Sequence, residues 1–189
     1  MRTPSAHRAS STRHPRTAIH VQPSAKPAVI VRPAAPADLP VLGRLGALLV
    51  RLHHDFDPAR FIAATPRTNS AYASWLGTQV QAPDVVVLVA ERDGVVLGYT
   101  YAGIEGVDYM ALRGPAGVLH DIVVDPAHRG HGVGRLLLDA TVAALTALGA
   151  PRVVLSAAAR NEGAHRLFER AGFRRTMIEM TRDVADAAS

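Results

Sequence analysis

The chain contains no cysteine. Disulfides, zinc–thiolate sites and cysteine nucleophiles are therefore excluded. No apolar run reaches about 18 residues, so no membrane span is expected. Acidic residues are missing from residues 1–27, which carry Arg2, Arg8, Arg13, Arg16 and Lys26. Without that segment the basic and acidic counts are equal, so the net charge of +5 belongs to it alone. A nucleic-acid-binding core carries its own basic face. A near-neutral core makes nucleic acid an unexpected partner, and no membrane partner is expected either.

What is present suits one domain with a tail. Residues 1–27 are rich in Ser, Pro, Arg and His and lack apolar periodicity, so a disordered basic tail is expected. An Arg- and Ser-rich, acid-poor start leaves a transit peptide open, as well as a nucleic-acid- or phosphate-binding arm. Residues 28–183 should form the folded domain, and residues 184–189 should fray. The expected compartment is the cytoplasm.

The folded part alternates in type. Ala28 to Arg32 is a short strand. Leu39, Leu42, Leu45, Leu48, Leu49 and Leu52 recur at helical spacing. The helix they form ends at His53-His54-Asp55-Phe56-Asp57. Neighbouring histidines on a helix point about 100° apart, so a polar loop over a pocket is expected there rather than a metal site. Asn69 to Gln81 forms a second helix. Val85 to Glu91 and Val95 to Ile104 are strands joined by Asp93-Gly94, a hairpin signal. Val118 to Val124 and Arg152 to Ala157 are strands on either side of a helix closed by Gly149. Asn161 caps the last helix, and Phe173 to Thr181 is expected as the final strand. These elements predict a mixed α/β sheet.

One stretch stands out. After the strand residues Ile122, Val123 and Val124 come Asp125-Pro126, then Arg129-Gly130-His131-Gly132-Val133-Gly134-Arg135 and a helix. Glycines at a helix start let backbone amides converge on an anion, aided by the helix dipole. A dinucleotide fingerprint needs G-x-G-x-x-G, and a Walker loop needs Lys after Gly; neither is present. A purely structural glycine turn remains the other reading of these residues.

The run V-x-P followed by R-x-x-G-x-G, carried by Val124, Pro126, Arg129, Gly132 and Gly134, resembles the pyrophosphate motif of the GNAT superfamily of acetyl-CoA-dependent N-acetyltransferases. Asn161, Ala164, Leu167, Phe168, Gly172 and Phe173 resemble a second segment of that family. The resemblance covers roughly Val29 to Thr181. It implies a central, mostly antiparallel sheet of six to seven strands flanked by about four helices. It also implies transfer of an acetyl group from acetyl-CoA to a primary amine, with no metal. Main-chain groups of Ile122, Val123 and Val124 would pair with the pantetheine arm. Amides of Arg129, Gly130, His131, Gly132, Val133, Gly134 and Arg135 would hold the pyrophosphate, with Asn161 and Phe168 near the same arm.

An alkyl ammonium with pKa near 10 must lose a proton before it attacks. The candidate bases are His120, Asp121 and Glu105. The His120-Asp121 pair resembles the Glu-Asp pair of diamine and polyamine acetyltransferases, and His120 also matches a histidine of the arylalkylamine acetyltransferases. The two-residue strand period places His120 and Asp121 on opposite faces unless a bulge re-aims one. The family often has a Tyr at the position of Phe168, where it protonates the leaving thiolate. Tyr99, Tyr101 and Tyr109 are the other hydroxyls near the central hairpin. The acceptor pocket is expected from Leu52 to Thr68 and the 106–116 loop. A catalytically silent CoA-binding sensor or interaction module is the alternative function. A homodimer through the exposed final strand is also left open.

Overall fold

A computed structural model of the protein describes residues 28–184. The basic tail expected over 1–27 lies outside the described residues, as does the expected fraying at 184–189 except for Val184. Strand β1 (Ile30–Pro33) leads through a single 3-10 turn into helices α1 (Leu39–Phe56) and α2 (Thr68–Gln79). Strands β2 (Val85–Arg92), β3 (Val95–Glu105) and β4 (Ala116–Val124) follow. Helix α3 (Val133–Ala147), strand β5 (Val153–Leu155) and helix α4 (Glu162–Arg170) complete the order. The strands lie side by side in chain order. The first three pairings are antiparallel and only β4–β5 is parallel: a single long helix, α3, carries the chain back between β4 and β5, whereas β1 and β2 are joined through the pair α1 and α2.

Both faces of the sheet are covered. On one face Leu42 and Leu45 of α1 and Leu76 of α2 pack on Val87, Val89, Tyr99 and Val123. On the other, Leu138 and Leu145 of α3 and Phe168 of α4 pack on Val86, Ala102 and Leu119. Neighbours such as Val86 and Val87 serve opposite faces, as the two-residue period demands. Asp93 and Gly94 both adopt positive φ, the twist that a two-residue hairpin turn requires.

Helices α1 and α2 approach unusually closely, and two glycines permit it. A Cβ on Gly43 would run into the carbonyl oxygen of Asn69 and lie 2.7 Å from the Ala73 Cβ. A Cβ on Gly46 would run into the Tyr72 ring. The second glycine thus leaves the space through which Tyr72 reaches the sheet.

Two expectations are corrected. The sheet has five strands among the described residues rather than six to seven, and Phe173 to Thr181 forms none. The segment's composition suits a strand, but a strand needs a neighbour to share its ladder. Here Glu179 accepts from Arg60, in the loop after α1, and Arg175 donates to Glu169 at 3.0 Å. Side-chain ties hold the segment, and Met177, Ile178 and Met180 stay exposed.

Gly43→Ala should separate α1 from α2 and destabilise the domain by about 1–3 kcal/mol, the range for overpacking a close contact. Urea denaturation checks it; an unchanged midpoint would show that the two backbones have room to spare.

Candidate active site

Strand β4 carries one residue too many for β3. Tyr101 pairs with Asp121 and Ala102 with Leu119, so His120 has no partner. Such a bulge shifts the side-chain alternation by one position. Leu119 therefore faces α3, while Val123, four residues on, faces α1. Regular alternation would have placed both on one face. The same shift puts His120 and Asp121 on one side, where both line a cavity of about 220 Å³. Leu49, Val50 and His53 of α1 and Phe61 and Ile62 of the following loop form the rest of its lining.

Asp121 is buried at the floor of this cavity. Its Oδ2 accepts from Tyr72 Oη at 2.5 Å and from Tyr99 Oη at 2.8 Å. Burial pushes the carboxyl's pKa above its ordinary value, and the two tyrosine hydrogen bonds oppose that shift. Tyr99 and Tyr72 have their own pKa raised, first by burial and then by the Asp121 charge. Both phenols therefore stay protonated and donate.

His120 is held differently. Its Nε2 lies 3.2 Å from Glu105 Oε1. An ionised Glu105 at that distance favours the tautomer with the proton on Nε2 and the lone pair on Nδ1. The other Glu105 oxygen, Oε2, accepts from Arg113 Nη2 at 2.5 Å. Arg113 is itself fixed by reciprocal main-chain hydrogen bonds with Asp108, both 2.8 Å. The imidazole stacks on Tyr101, centroids 4.9 Å apart, and Tyr101 meets the edge of Trp75 at 4.8 Å. Glu105, His120 and Asp121 thus come together, with the two carboxylates on different partners.

Beyond the bulge, β4 loses its neighbour. Strand β5 pairs only with Gly117, Val118 and Leu119. Ile122, Val123 and Val124 therefore have no strand on that side, and Arg129 Nε donates to the Val124 carbonyl at 3.1 Å. The loop that follows turns through Gly130 and Gly132, with φ of 78° and 79°. Helix α3 then begins at Val133. Among the described residues, the amides of Gly130, His131, Gly132, Val133 and Gly134 find no acceptor. Nothing lies within 4 Å of where a Cβ on Gly130 or Gly132 would sit. Five unanswered N–H groups at a helix start form a cradle for an anion.

Arg129 and Arg135 flank the cradle. Arg135 holds Asp139 at 2.7 Å and the Arg170 carbonyl at 3.0 Å. His131 faces a separate cavity of about 240 Å³ with Arg92 and His128. Asn161 caps α4, its Oδ1 accepting from the Ala164 amide at 3.1 Å. Phe168 is buried against α3 and meets the edge of Phe173, centroids 6.0 Å apart. Tyr99 is committed to Asp121, Tyr101 Oη reaches Gln79 at 3.3 Å, and Tyr109 is exposed.

Several participants had no signal in the chain. Tyr72 belonged to a helix face, and only the Gly46 gap shows why it reaches Asp121. Leu49 and Val50 line the cavity although they precede the stretch expected to form it. The 106–116 loop lends it no lining residue, acting instead through Arg113 on Glu105. The neighbouring histidines His53 and His54 donate separately from Nδ1, to the Leu49 and Phe61 carbonyls, 2.9 and 3.0 Å away. Among the described residues, no helix is long and apolar enough to cross a membrane.

A family model described as "Acetyltransferase (GNAT) family" matches residues 49–173. A mycothiol acetyltransferase of Thermobispora bispora is 36% identical over 96 residues, covering 49% of this chain and 31% of that protein. The chain thus spans about a third of that relative's length. The tetramutant BH1408 protein of Bacillus halodurans superposes with a TM-score of 0.72 at 22% identity, over 82% of this chain and 99% of that one. An aminoglycoside N-acetyltransferase, AAC(6')-Iy, in complex with CoA superposes with a TM-score of 0.63 at 19% identity, over 87% and 99% of the two chains.

Burial of Asp121 has a consequence for stability. A raised carboxyl pKa stabilises the fold below the ordinary value of 3.8, and the contribution is lost as pH rises through the folded value. At pH 8 the ionised group therefore works against folding. Asp121→Asn keeps an oxygen for both tyrosines and should raise the Tm at pH 8, with the gain shrinking toward pH 4. A loss of Tm at pH 8, or a gain independent of pH, would contradict the sign.

Proposed function

The chain belongs to the acetyltransferase (GNAT) family, and on that premise we propose that it transfers the acetyl group of acetyl-CoA to a primary amine. The observation that carries this reading is the row of five amides without acceptors, Gly130 to Gly134. A diphosphate matches it in charge and in hydrogen-bonding capacity. The strand edge at Ile122, Val123 and Val124, left bare by β5, suits an extended pantetheine arm that adds to the sheet. Arg129 borders that edge through its hydrogen bond to the Val124 carbonyl. Asn161, the cap of α4, and Phe168 of the same helix are assigned to the neighbourhood of the arm by the family resemblance. Acetyl-CoA supplies the acetyl group as a thioester.

The bulge is where that edge meets the cavity, so the acceptor enters from the side of α1. Asp121 attracts it as an ammonium. His120 Nδ1, left with its lone pair by the Glu105 contact at 3.2 Å, accepts the ammonium proton. The freed nitrogen forms the C–N bond to the acetyl carbon as the C–S bond breaks. A main-chain N–H near Val123 stabilises the intervening oxyanion. The thiolate, a tolerable leaving group with a thiol pKa near 8.5, takes a proton from the imidazolium or from water, and the acylated nitrogen gives up its second proton to water as the amide forms. That route needs no hydroxyl at Phe168.

Phe168 also favours a second reading, a CoA-binding module without turnover. Free-CoA release over an amine panel separates the two. Millimolar acetyl-CoA should raise the Tm; no shift would remove the basis of both. His120→Ala should lower kcat by about 10²- to 10⁴-fold while the acetyl-CoA Kd stays within about threefold. An unchanged kcat would transfer the base role to Asp121, Glu105 or a water.

A further inference from the structure

The cavity at the bulge carries information about the acceptor that the cradle does not. From its lining, and resting on the transferase reading above, we infer that the preferred acceptor is a small primary alkyl monoamine with neither a carboxylate nor a second cationic group.

Four of the seven lining residues, Leu49, Val50, Phe61 and Ile62, are purely hydrocarbon. The polar remainder is His53, His120 and Asp121. A carboxylate on the acceptor would need a cation, and among the described residues no Arg or Lys lines the cavity. Arg60 lies over the Phe61 ring, 5.0 Å from its centroid, and is engaged with Glu179. Arg113 lies outside the lining: its Nη2 is engaged with Glu105, and its Nη1, though without a partner among the described residues, is buried. The histidines do not substitute for a guanidinium. The His53 Nδ1 contact with the Leu49 carbonyl, 2.9 Å, requires the proton there, so the neutral ring turns only a lone pair elsewhere. An α-carboxylate would therefore meet Asp121 without compensation.

A second ammonium fares no better. Among the described residues Asp121 is the sole carboxylate in the lining, and the first ammonium occupies it. Glu105 is already shared between Arg113 and His120. A second ammonium would find at most the His53 lone pair and no counter-charge, and an unpaired ion there is strongly disfavoured. Size permits such an acceptor. A water needs roughly 10–15 Å³ of cavity space, and the cavity offers about 220 Å³. A branched amine such as 3-methylbutylamine fits.

The test compares three acceptors with the full-length protein and saturating acetyl-CoA, following free CoA. 3-Methylbutylamine and leucine share a hydrocarbon skeleton and differ by the carboxylate; 1,4-diaminobutane adds a second cation. The kcat/KM for 3-methylbutylamine should exceed each of the others by about tenfold or more. A value for leucine or the diamine that equals or exceeds it overturns the inference while leaving the transferase reading intact. No turnover with any of these, or with a wider amine panel, overturns both. Ile62 lines the cavity yet is 78% exposed, so Ile62→Arg should fold. It should shift the 3-methylbutylamine-to-leucine ratio toward leucine by about tenfold. A folded variant with an unmoved ratio would show that the acceptor binds elsewhere.

Discussion

A single surplus residue in β4 determines what the rest of the structure can do. Were the strand regular, Leu119 and Val123 would share a face, and His120 and Asp121 would point to opposite layers. With His120 unpaired against β3, the alternation flips midway. Leu119 still serves the core beneath α3, and Val123 serves the core beneath α1. The two polar residues between them emerge together into one cavity. A bulge also bends its strand. The parallel ladder with β5 ends at Leu119, the residue before the bulge, so the bare edge and the polar pair are two results of one local change.

The cradle depends on that bend for its position but on different physics for its chemistry. Its donors are main-chain amides, which cannot titrate and do not rotate away. Positive φ at Gly130 and Gly132 points them outward, and the start of α3 leaves them without intrahelical acceptors. The polar pair, by contrast, is made of side chains whose states are set by neighbours. Glu105 lies against the imidazole Nε2, and Arg113 holds Glu105.

These parts were unequally legible in the amino-acid sequence. The glycine loop, the Asp93-Gly94 hairpin and the Asn161 cap are local, with backbone demands that only a few residue types meet. The leucine spacing of α1 was equally plain, because one helix face must be apolar. The bulge was visible only as a condition, since register depends on β3, some twenty residues earlier. Tyr72 was hidden for a related reason: its partner Asp121 is 49 positions away, and the gap at Gly46 that admits it arises only when α1 and α2 pack. The missing final strand shows the converse. Apolar residues at Met177, Ile178 and Met180 between polar ones signal a tendency to extend, but a ladder requires a partner edge.

Asp121 brings these levels into conflict, and the conflict is informative. A buried carboxylate opposes folding at neutral pH, and a neutral residue at that position would pack more easily. The structure instead surrounds it with two phenols, each held protonated by the burial that raises the carboxyl's pKa. One comes from β3 and the other from α2, through a helix contact close enough to require glycine at two positions of α1. Three elements are thus arranged around one oxygen, Oδ2, and the second oxygen is left without a protein donor. Hydrophobic burial alone gives no reason to assemble so many polar groups inside a core. A requirement to hold negative charge at the cavity floor does.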